Sequence, residues 1–306
     1  MPADLIDGAG IAREIRRKLA GDVTALIARG VQPGLTVVLV GDDAASAAYV
    51  RAKGKASEEV GINSSTIRLP ASTDQIELLR LVDQMNADPE IHGILVQMPL
   101  PKQIDPDVVM RHIHPSKDVD GFHPVNVGKM LIGQRDGFVP CTPAGIKELL
   151  RASGVATTGK ECVIIGRSNI VGKPMAALLV QDADDANCTV TVCHRHTRDL
   201  RAHTLRAEIL IVAAGRANLV TGDMIRPGAV VIDVGMNRIP DPSTRSGYRL
   251  VGDVEFESAK EVASLITPVP GGVGPMTIAM LLSNTVRSAS RFADARAVKT
   301  ARTVNA

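Results

Sequence analysis

The sequence predicts an α/β protein of two α/β domains, the second a Rossmann dinucleotide-binding domain, with an active-site cleft between them. Three observations carry this prediction. Glu161-Cys162-Val163-Ile164-Ile165-Gly166-Arg167-Ser168-Asn169-Ile170-Val171-Gly172-Lys173-Pro174 is an apolar strand that runs into a glycine turn and then into a helix through Met175 to Val180. Two further runs, Glu208 to Gly215 and Ala229 to Gly235, are almost continuously apolar, as strands covered on both faces are, and each ends in glycine. The first half alternates helix-period and strand-period segments in the same way.

Taken in order, Ile11 to Ala28 has helical apolar spacing, Leu35 to Val40 is a buried strand, and Ser46 to Val60 is a helix stopped by Gly61. Ser65 to Leu69 is a strand, Asp74 to Met85 a helix and Gly93 to Val96 a strand, which together make a parallel-sheet domain. Pro140 and Pro143 bracket Cys141-Thr142 ahead of a helix over Ala144 to Arg151, marking a passage between domains. In the second half the strands over 161–165 and Cys188 to Cys193 precede the two apolar runs already named. Met276 to Phe292 is helical and returns to the first domain, and the tail beyond Ala293 loses its apolar spacing and is expected to fray. The expected domains are therefore 1–143 with 276–306, and 144–275.

Composition narrows the function. At 306 residues and 45% hydrophobic the chain buries two cores, and no segment reads as a signal peptide or a membrane span, so a soluble cytoplasmic protein is expected. A net charge of +2, with two Tyr, four Phe and no Trp, argues against a nucleic acid partner or an anionic membrane. Cys141, Cys162, Cys188 and Cys193 form no C-x-x-C pair, so reduced thiols and no metal site are expected.

The glycine turn departs from G-x-G-x-x-G, because Ser168 stands at the second glycine position and only Gly166 and Gly172 frame the loop. Unpaired N–H groups and the dipole at the helix start favour an anion there. The alternative is a glycine turn in a sheet that binds nothing. At the end of the next strand, where an acid would meet the ribose of NAD, the chain has His194-Arg195-His196. With Arg167 in the preceding turn, two guanidinium groups are available for a 2′-phosphate, which favours NADP over NAD; the bland alternative for Arg195 is a solvated loop arginine. Asp233, inside a strand run, reads as a loop cap without a chemical role.

In the first domain Tyr49 and Lys53 lie four apart on one helix face, either as a substrate-facing pair or as an ordinary surface pair. Val96-Gln97-Met98-Pro99-Leu100-Pro101 is a strand ended by prolines, which places Gln97 at a carboxyl strand end, where ligands bind in open α/β sheets. Lys117-Asp118-Val119-Asp120-Gly121-Phe122-His123-Pro124 carries two acids, either of which is alternatively a turn former. Ile266 to Thr277 is a rigid loop of prolines and glycines that leaves its backbone open to a flat ligand.

Nearly end to end, these motifs resemble the bifunctional methylenetetrahydrofolate dehydrogenase/cyclohydrolase family: Tyr-x-x-x-Lys, Val-Gln-Met-Pro-Leu-Pro, Lys-Asp-Val-Asp-Gly, Pro-Cys-Thr-Pro, Gly-Arg-Ser-x-x-Val-Gly-x-Pro and Pro-Gly-Gly-Val-Gly-Pro-Met-Thr. The resemblance implies NADP-dependent oxidation of 5,10-methylenetetrahydrofolate to the 5,10-methenyl cation, then hydrolysis to 10-formyltetrahydrofolate in the same cleft. It implies that Lys53 is catalytic, that Gln97 adjusts its protonation, that Tyr49 stacks on the folate and that Asp120 grips the pterin, with Pro270 and Gly271 also at the substrate. It carries cofactor contacts to Gly166, Arg167, Ser168, Arg195, Met236 and Thr277, and it implies a homodimer. Many relatives have serine where this chain has Arg195. Two rivals stand beside it: a monofunctional dehydrogenase, expected to lack part of the Tyr49, Lys53 and Gln97 set, and an NADP-binding redox sensor, in which Lys53, Gln97 and Asp120 would serve no purpose.

Overall fold

The computed structural model describes residues 2–244 and 247–304. The chain begins β1 (Asp4–Leu5), α1 (Gly8–Ala28), β2 (Gly34–Val40), α2 (Ala44–Val60), β3 (Asn63–Leu69), α3 (Gln75–Ala87), β4 (Gly93–Val96), α4 (Pro106–His112), α5 (Pro124–Leu131) and α6 (Cys141–Ala152). It continues β5 (Glu161–Ile165), α7 (Gly172–Leu179), β6 (Thr189–Cys193), α8 (Leu200–Thr204), β7 (Ile209–Val212), a 3-10 turn (Gly222–Met224), β8 (Val230–Asp233), β9 (Asn237–Pro240), β10 (Tyr248–Val251), α9 (Phe256–Lys260), β11 (Leu265–Ile266) and α10 (Val273–Val304). Two compact units result: Arg13–Cys141 with Ile278–Ala306, and Met1–Ala12 with Thr142–Thr277.

The first unit is built on a parallel three-stranded sheet in the order β3-β2-β4. Every residue of the central strand β2 is buried. Because side chains alternate along a strand, Leu35, Val37 and Leu39 join one cluster with Leu19, Val23 and Leu26 of α1, Val50 and Val60 of α2, and Leu281, Leu282 and Val286 of α10. Val38 and Val40 face the other way, onto Leu78, Val82 and Met85 of α3 and Val109 of α4. Each such side chain contributes roughly 1.5–3 kcal/mol by leaving water. The register of β2 is thereby fixed, since a one-residue slip would exchange the two faces. Helix α2 has a defined start and stop: the Asp43 carboxylate accepts from Ser46 N–H at 2.7 Å, and Gly61 closes it at φ 82°.

The second unit contains a parallel six-stranded sheet in the order β1-β11-β8-β7-β5-β6. β5 has β6 on one side and β7 on the other, so the chain reverses direction across the sheet there, and the carboxyl ends of β5 and β7 flank the crevice where open α/β sheets take ligands. One face packs Val163, Ile165, Leu210, Val212, Val231 and Ile266 against residues that include Ala259 of α9. β9 and β10 form a separate antiparallel ribbon.

Three features differ from the sequence expectation. Residues Met1–Ala12 belong to the six-stranded unit, not with the rest of the first half, because β1 pairs in parallel with β11. The helix predicted from Ala144 starts at Cys141, so Pro143 lies in its first turn, where a missing N–H costs no hydrogen bond. The tail expected to fray after Ala293 continues as helix to Val304. No helix among the described residues is long and apolar enough to cross a membrane.

Two glycines of the three-stranded unit give a stability test. Gly121 (φ 79°) leaves no room for a side chain: a Cβ would lie 2.6 Å from Pro140 N and Val139 C. Gly133 (φ 75°) meets nothing within 4 Å. Gly133→Ala carries only the left-handed backbone cost of about 1–2 kcal/mol, whereas Gly121→Ala adds overpacking against backbone of about 1–3 kcal/mol. Urea unfolding is expected to show the larger midpoint loss for Gly121→Ala, and equal losses would contradict the packing.

Candidate active site

Lys53 sits on α2 one turn beyond Tyr49, on the same face. Tyr49 is 38% exposed and Lys53 only 8%, so the phenol stands at the surface and the amine lies beneath it. Lys53 Nζ donates to Gln97 Oε1 at 2.9 Å. Gln97 follows β4 directly, held by its own N–H to Val38 O at 2.8 Å. Its Nε2 donates to Met98 O at 2.8 Å, which turns the carbonyl end of the amide toward the lysine. Burial pushes the Lys53 ammonium below the ordinary lysine range, and the charge of Asp120 offsets only part of that.

Asp120 and Cys141 complete the cluster. Burial raises the Asp120 carboxyl, while the charge of Lys53 and a hydrogen bond from Cys141 pull it back down. No direct ion pair joins Lys53 and Asp120 among the described residues. The Cys141 thiol is pushed well above its usual value by burial and by the neighbouring acid, so it is a neutral donor. It also contacts Val119 O at 3.3 Å. Asn284 of α10 braces the same place, with its Nδ2 donating to Val119 O at 2.8 Å and Val139 O at 3.2 Å.

The two acids of the 117–121 loop divide their work. Asp118 is 4% exposed and accepts from Phe122 N–H at 3.2 Å, His123 N–H at 2.8 Å and Asn126 Nδ2 at 2.8 Å. It organises the turn that presents Asp120, and burial raises its carboxyl to about 6 despite those donors.

In the six-stranded unit, Gly166 (φ 122°) ends β5 where a Cβ would lie 2.2 Å from Ala213 O, and a Cβ on Gly172 would lie 2.1 Å from Gly166 O. Only glycine fits either position. Ser168, at the position of the missing glycine, ties the turn together: its Oγ accepts from Val171 N–H at 3.1 Å, and its carbonyl accepts from Lys173 N–H at 3.1 Å. Some of the helix-start donors expected to be unpaired are therefore satisfied from within the turn. The Ser168 hydroxyl proton remains available to a ligand. Arg167 and Arg195 are both exposed, and Arg167 lies close enough to His194 to help hold that imidazole below its usual value, after slight burial and ahead of His196. Arg195 Nε donates to His196 Nε2 at 3.1 Å. The turn after β5 and the basic cluster after β6 thus form one positive region.

Around the start of α10 the structure gathers Met236, Pro270, Gly271 and Thr277. A Cβ on Gly274 would lie 3.3 Å from Met236 Cε, Met236 is 42% exposed, and Thr277 Oγ1 shares a 2.9 Å hydrogen bond with Thr142 Oγ1. Gly271 has φ 110°, and Gly272 N–H donates to Pro268 O at 2.9 Å. The predicted residues thus form two groups: Tyr49, Lys53, Gln97 and Asp120 in the three-stranded unit, and the other eight in the six-stranded unit. Cys141 was not singled out from the sequence as a site residue, although its Pro-Cys-Thr-Pro setting and its place after Asp120 were there to read.

Comparison with known proteins gives the family of both halves of the chain. Residues 6–120 match the catalytic domain, and residues 140–293 the NAD(P)-binding domain, of tetrahydrofolate dehydrogenase/cyclohydrolase. The chain is 57% identical over 290 residues to the bifunctional protein FolD of Chlorobium phaeobacteroides, covering 94% of this chain and 98% of that one. Among solved structures, the FolD methylenetetrahydrofolate dehydrogenase/cyclohydrolase of Campylobacter jejuni is 49% identical with a TM-score of 0.89, covering 94% of this chain and 99% of that one. The Trypanosoma brucei enzyme, complexed with NADP cofactor and inhibitor, is 43% identical with a TM-score of 0.90, covering 95% and 98%. The chain belongs to the tetrahydrofolate dehydrogenase/cyclohydrolase family.

Proposed function

We propose that the protein oxidises 5,10-methylenetetrahydrofolate to 5,10-methenyltetrahydrofolate with NADP+ and hydrolyses that cation to 10-formyltetrahydrofolate, with Lys53 as the proton-transfer group of the second step. The observation that carries this reading is a buried lysine, depressed by burial and hydrogen-bonded to Gln97 at 2.9 Å, with a raised aspartate beside it. The hydride step needs alignment more than acid or base, because the folate nitrogen lone pairs drive hydride loss. Hydrolysis needs a proton carrier, since water adds to a cation and the adduct must then open. A lysine that is neutral part of the time serves as that carrier, and a bound methenyl cation would lower its pKa further. Asp120 accepts from the pterin amino and ring N–H groups, and Tyr49, exposed one turn before Lys53, stacks on the folate.

NADP+, when bound, supplies the hydride acceptor. The six-stranded unit fits it: Gly166 and Gly172 let backbone approach closely, Ser168 offers its hydroxyl, and Arg167 with Arg195 would be available to a 2′-phosphate. Met236 and Thr277, at the start of α10, are assigned to it as well. Pro270 and Gly271 lie in the loop ahead of that helix and are assigned to the substrate. We also assign the chain to the cytoplasm as a homodimer. Four buried, unpaired cysteines support the first assignment. The open edge of β6, with Val192 exposed, supports the second, and a single-chain mass in solution would refute it.

Lys53→Met is expected to slow hydrolysis of added methenyltetrahydrofolate about 100-fold or more and to slow NADPH formation less, both read by absorbance. Survival of both activities would remove Lys53 from the chemistry. Replacing Arg167 and Arg195 with Gln is expected to raise the KM for NADP+ far more than that for NAD+, and equal losses would exclude a 2′-phosphate contact.

A further inference from the structure

Two carboxylates lie buried in the six-stranded unit beneath the carboxyl ends of β7 and β8, and the chemistry above uses neither. Asp253 is fully buried. Its Oδ2 accepts from Ala214 N–H at 2.6 Å and Gly215 N–H at 2.8 Å, and its Oδ1 accepts from Arg216 N–H at 2.9 Å and Asn237 Nδ2 at 2.8 Å. Asp233, at the end of β8, accepts from Gly235 N–H at 2.9 Å, from Asp253 N–H at 2.9 Å and from Val254 N–H at 3.0 Å. Their approach depends on glycines: a Cβ on Gly235 would lie 2.3 Å from Asp253 N, and one on Gly252 1.7 Å from Asp233 Oδ2. Asp233 thus fixes the backbone of Asp253, and Asp253 fixes the loop after β7.

Three successive backbone N–H groups converging on one point form a concavity that suits an anion. At 214–216 that concavity is filled by the chain's own carboxylate. These amides are therefore not donors for a ligand phosphate. Ala214, Gly215 and Arg216 are exposed on their other side, and a Cβ on Gly215 would meet nothing within 4 Å, so the loop offers a ligand an open, side-chain-free surface. Asn237 adds a second tie, from the same carboxylate to the segment that carries Met236.

We propose that Asp253 is a positioning residue for the dinucleotide, tying the loop after β7 to the loop after β8 in the shape that receives the cofactor, with Asp233 as its support. The proposal rests on the reading of this unit as the NADP site. It leaves the phosphates to the turn at Gly166-Arg167-Ser168 and gives the 214–216 loop the task of shape.

Asp253→Asn tests it, because the amide keeps the size of the side chain but turns an NH2 toward donors that need an acceptor. The KM for NADP+ is expected to rise about tenfold or more, the scale of one lost charge-assisted hydrogen bond. Dehydrogenase kcat at saturating NADP+ is expected to change far less. Hydrolysis of methenyltetrahydrofolate, measured without dinucleotide, is expected to keep its wild-type rate. An unchanged KM for NADP+ would overturn the proposal, as would a parallel fall of both activities with a lowered Tm, which is what a purely structural role gives. Should that variant not fold, Asn237→Ala leaves the Asp253 carboxylate in place and removes its 2.8 Å tie together with the longer bonds of the same amide to Gly252 O and Val251 O; a rise of a few-fold in the same KM is expected, and no rise would overturn the proposal. Wild-type protein that fails to reduce NADP+ would refute the underlying reading, whereas active wild type with an unaltered Asp253→Asn would refute the role of Asp253 alone.

Discussion

The desolvation of one ammonium group is the constraint on which the candidate active site depends. Lys53 projects from α2 among Gln97, Asp120 and Cys141, where burial disfavours its charged form and a single 2.9 Å hydrogen bond to Gln97 orients it. Such an arrangement persists only if its surroundings are rigid. Helix α2 is pinned at both ends by Asp43 and Gly61, Gln97 is fixed by β4 and by Met98 O, and Asp120 is presented by a loop that Asp118 ties together from within. The apolar clusters on both faces of β2 hold the register on which those placements rest.

A second pattern recurs in both units: buried carboxylates act as internal acceptors for backbone N–H groups. Asp118 does so for the loop that carries Asp120, and Asp233 and Asp253 do so for the loops after β7 and β8. In each case the acid closest to the chemistry or the ligand is held by another that takes no part in it. Asp118 and Asp233 are each raised to about 6 by burial, so both accept these hydrogen bonds as carboxylates above that pH and lose acceptor capacity below it.

Much of the fold was legible because its strands are long apolar runs bounded by glycine or proline. β4 ends at Val96 as read, β5, β7 and β8 fall within the runs expected, and β2 starts one residue ahead of its run, at Gly34. β1 and β11, two residues each, are too short to show a period, and their pairing alone moves residues 1–12 into the other unit. The β9–β10 ribbon alternates weakly, and α10 outlasts its apolar stripe because alanine, arginine and lysine favour helix without burial. Lys53 and Gln97 were legible through motif and strand-end position. Cys141 was not, since a buried cysteine reads as core filler, and Asp253 was not, since its partners at 214–216 lie far away in sequence.

The most direct test of the account is an NMR titration of the Lys53 side-chain amine in isotope-labelled protein, assigned by the loss of its signal in Lys53→Met. Burial outweighs the attraction of Asp120, so the amine is predicted to lose its proton clearly below the value of about 10.4 for free lysine. Titration at or above that value would mean that Lys53 is an ordinary ammonium, and would contradict its assignment as the proton carrier.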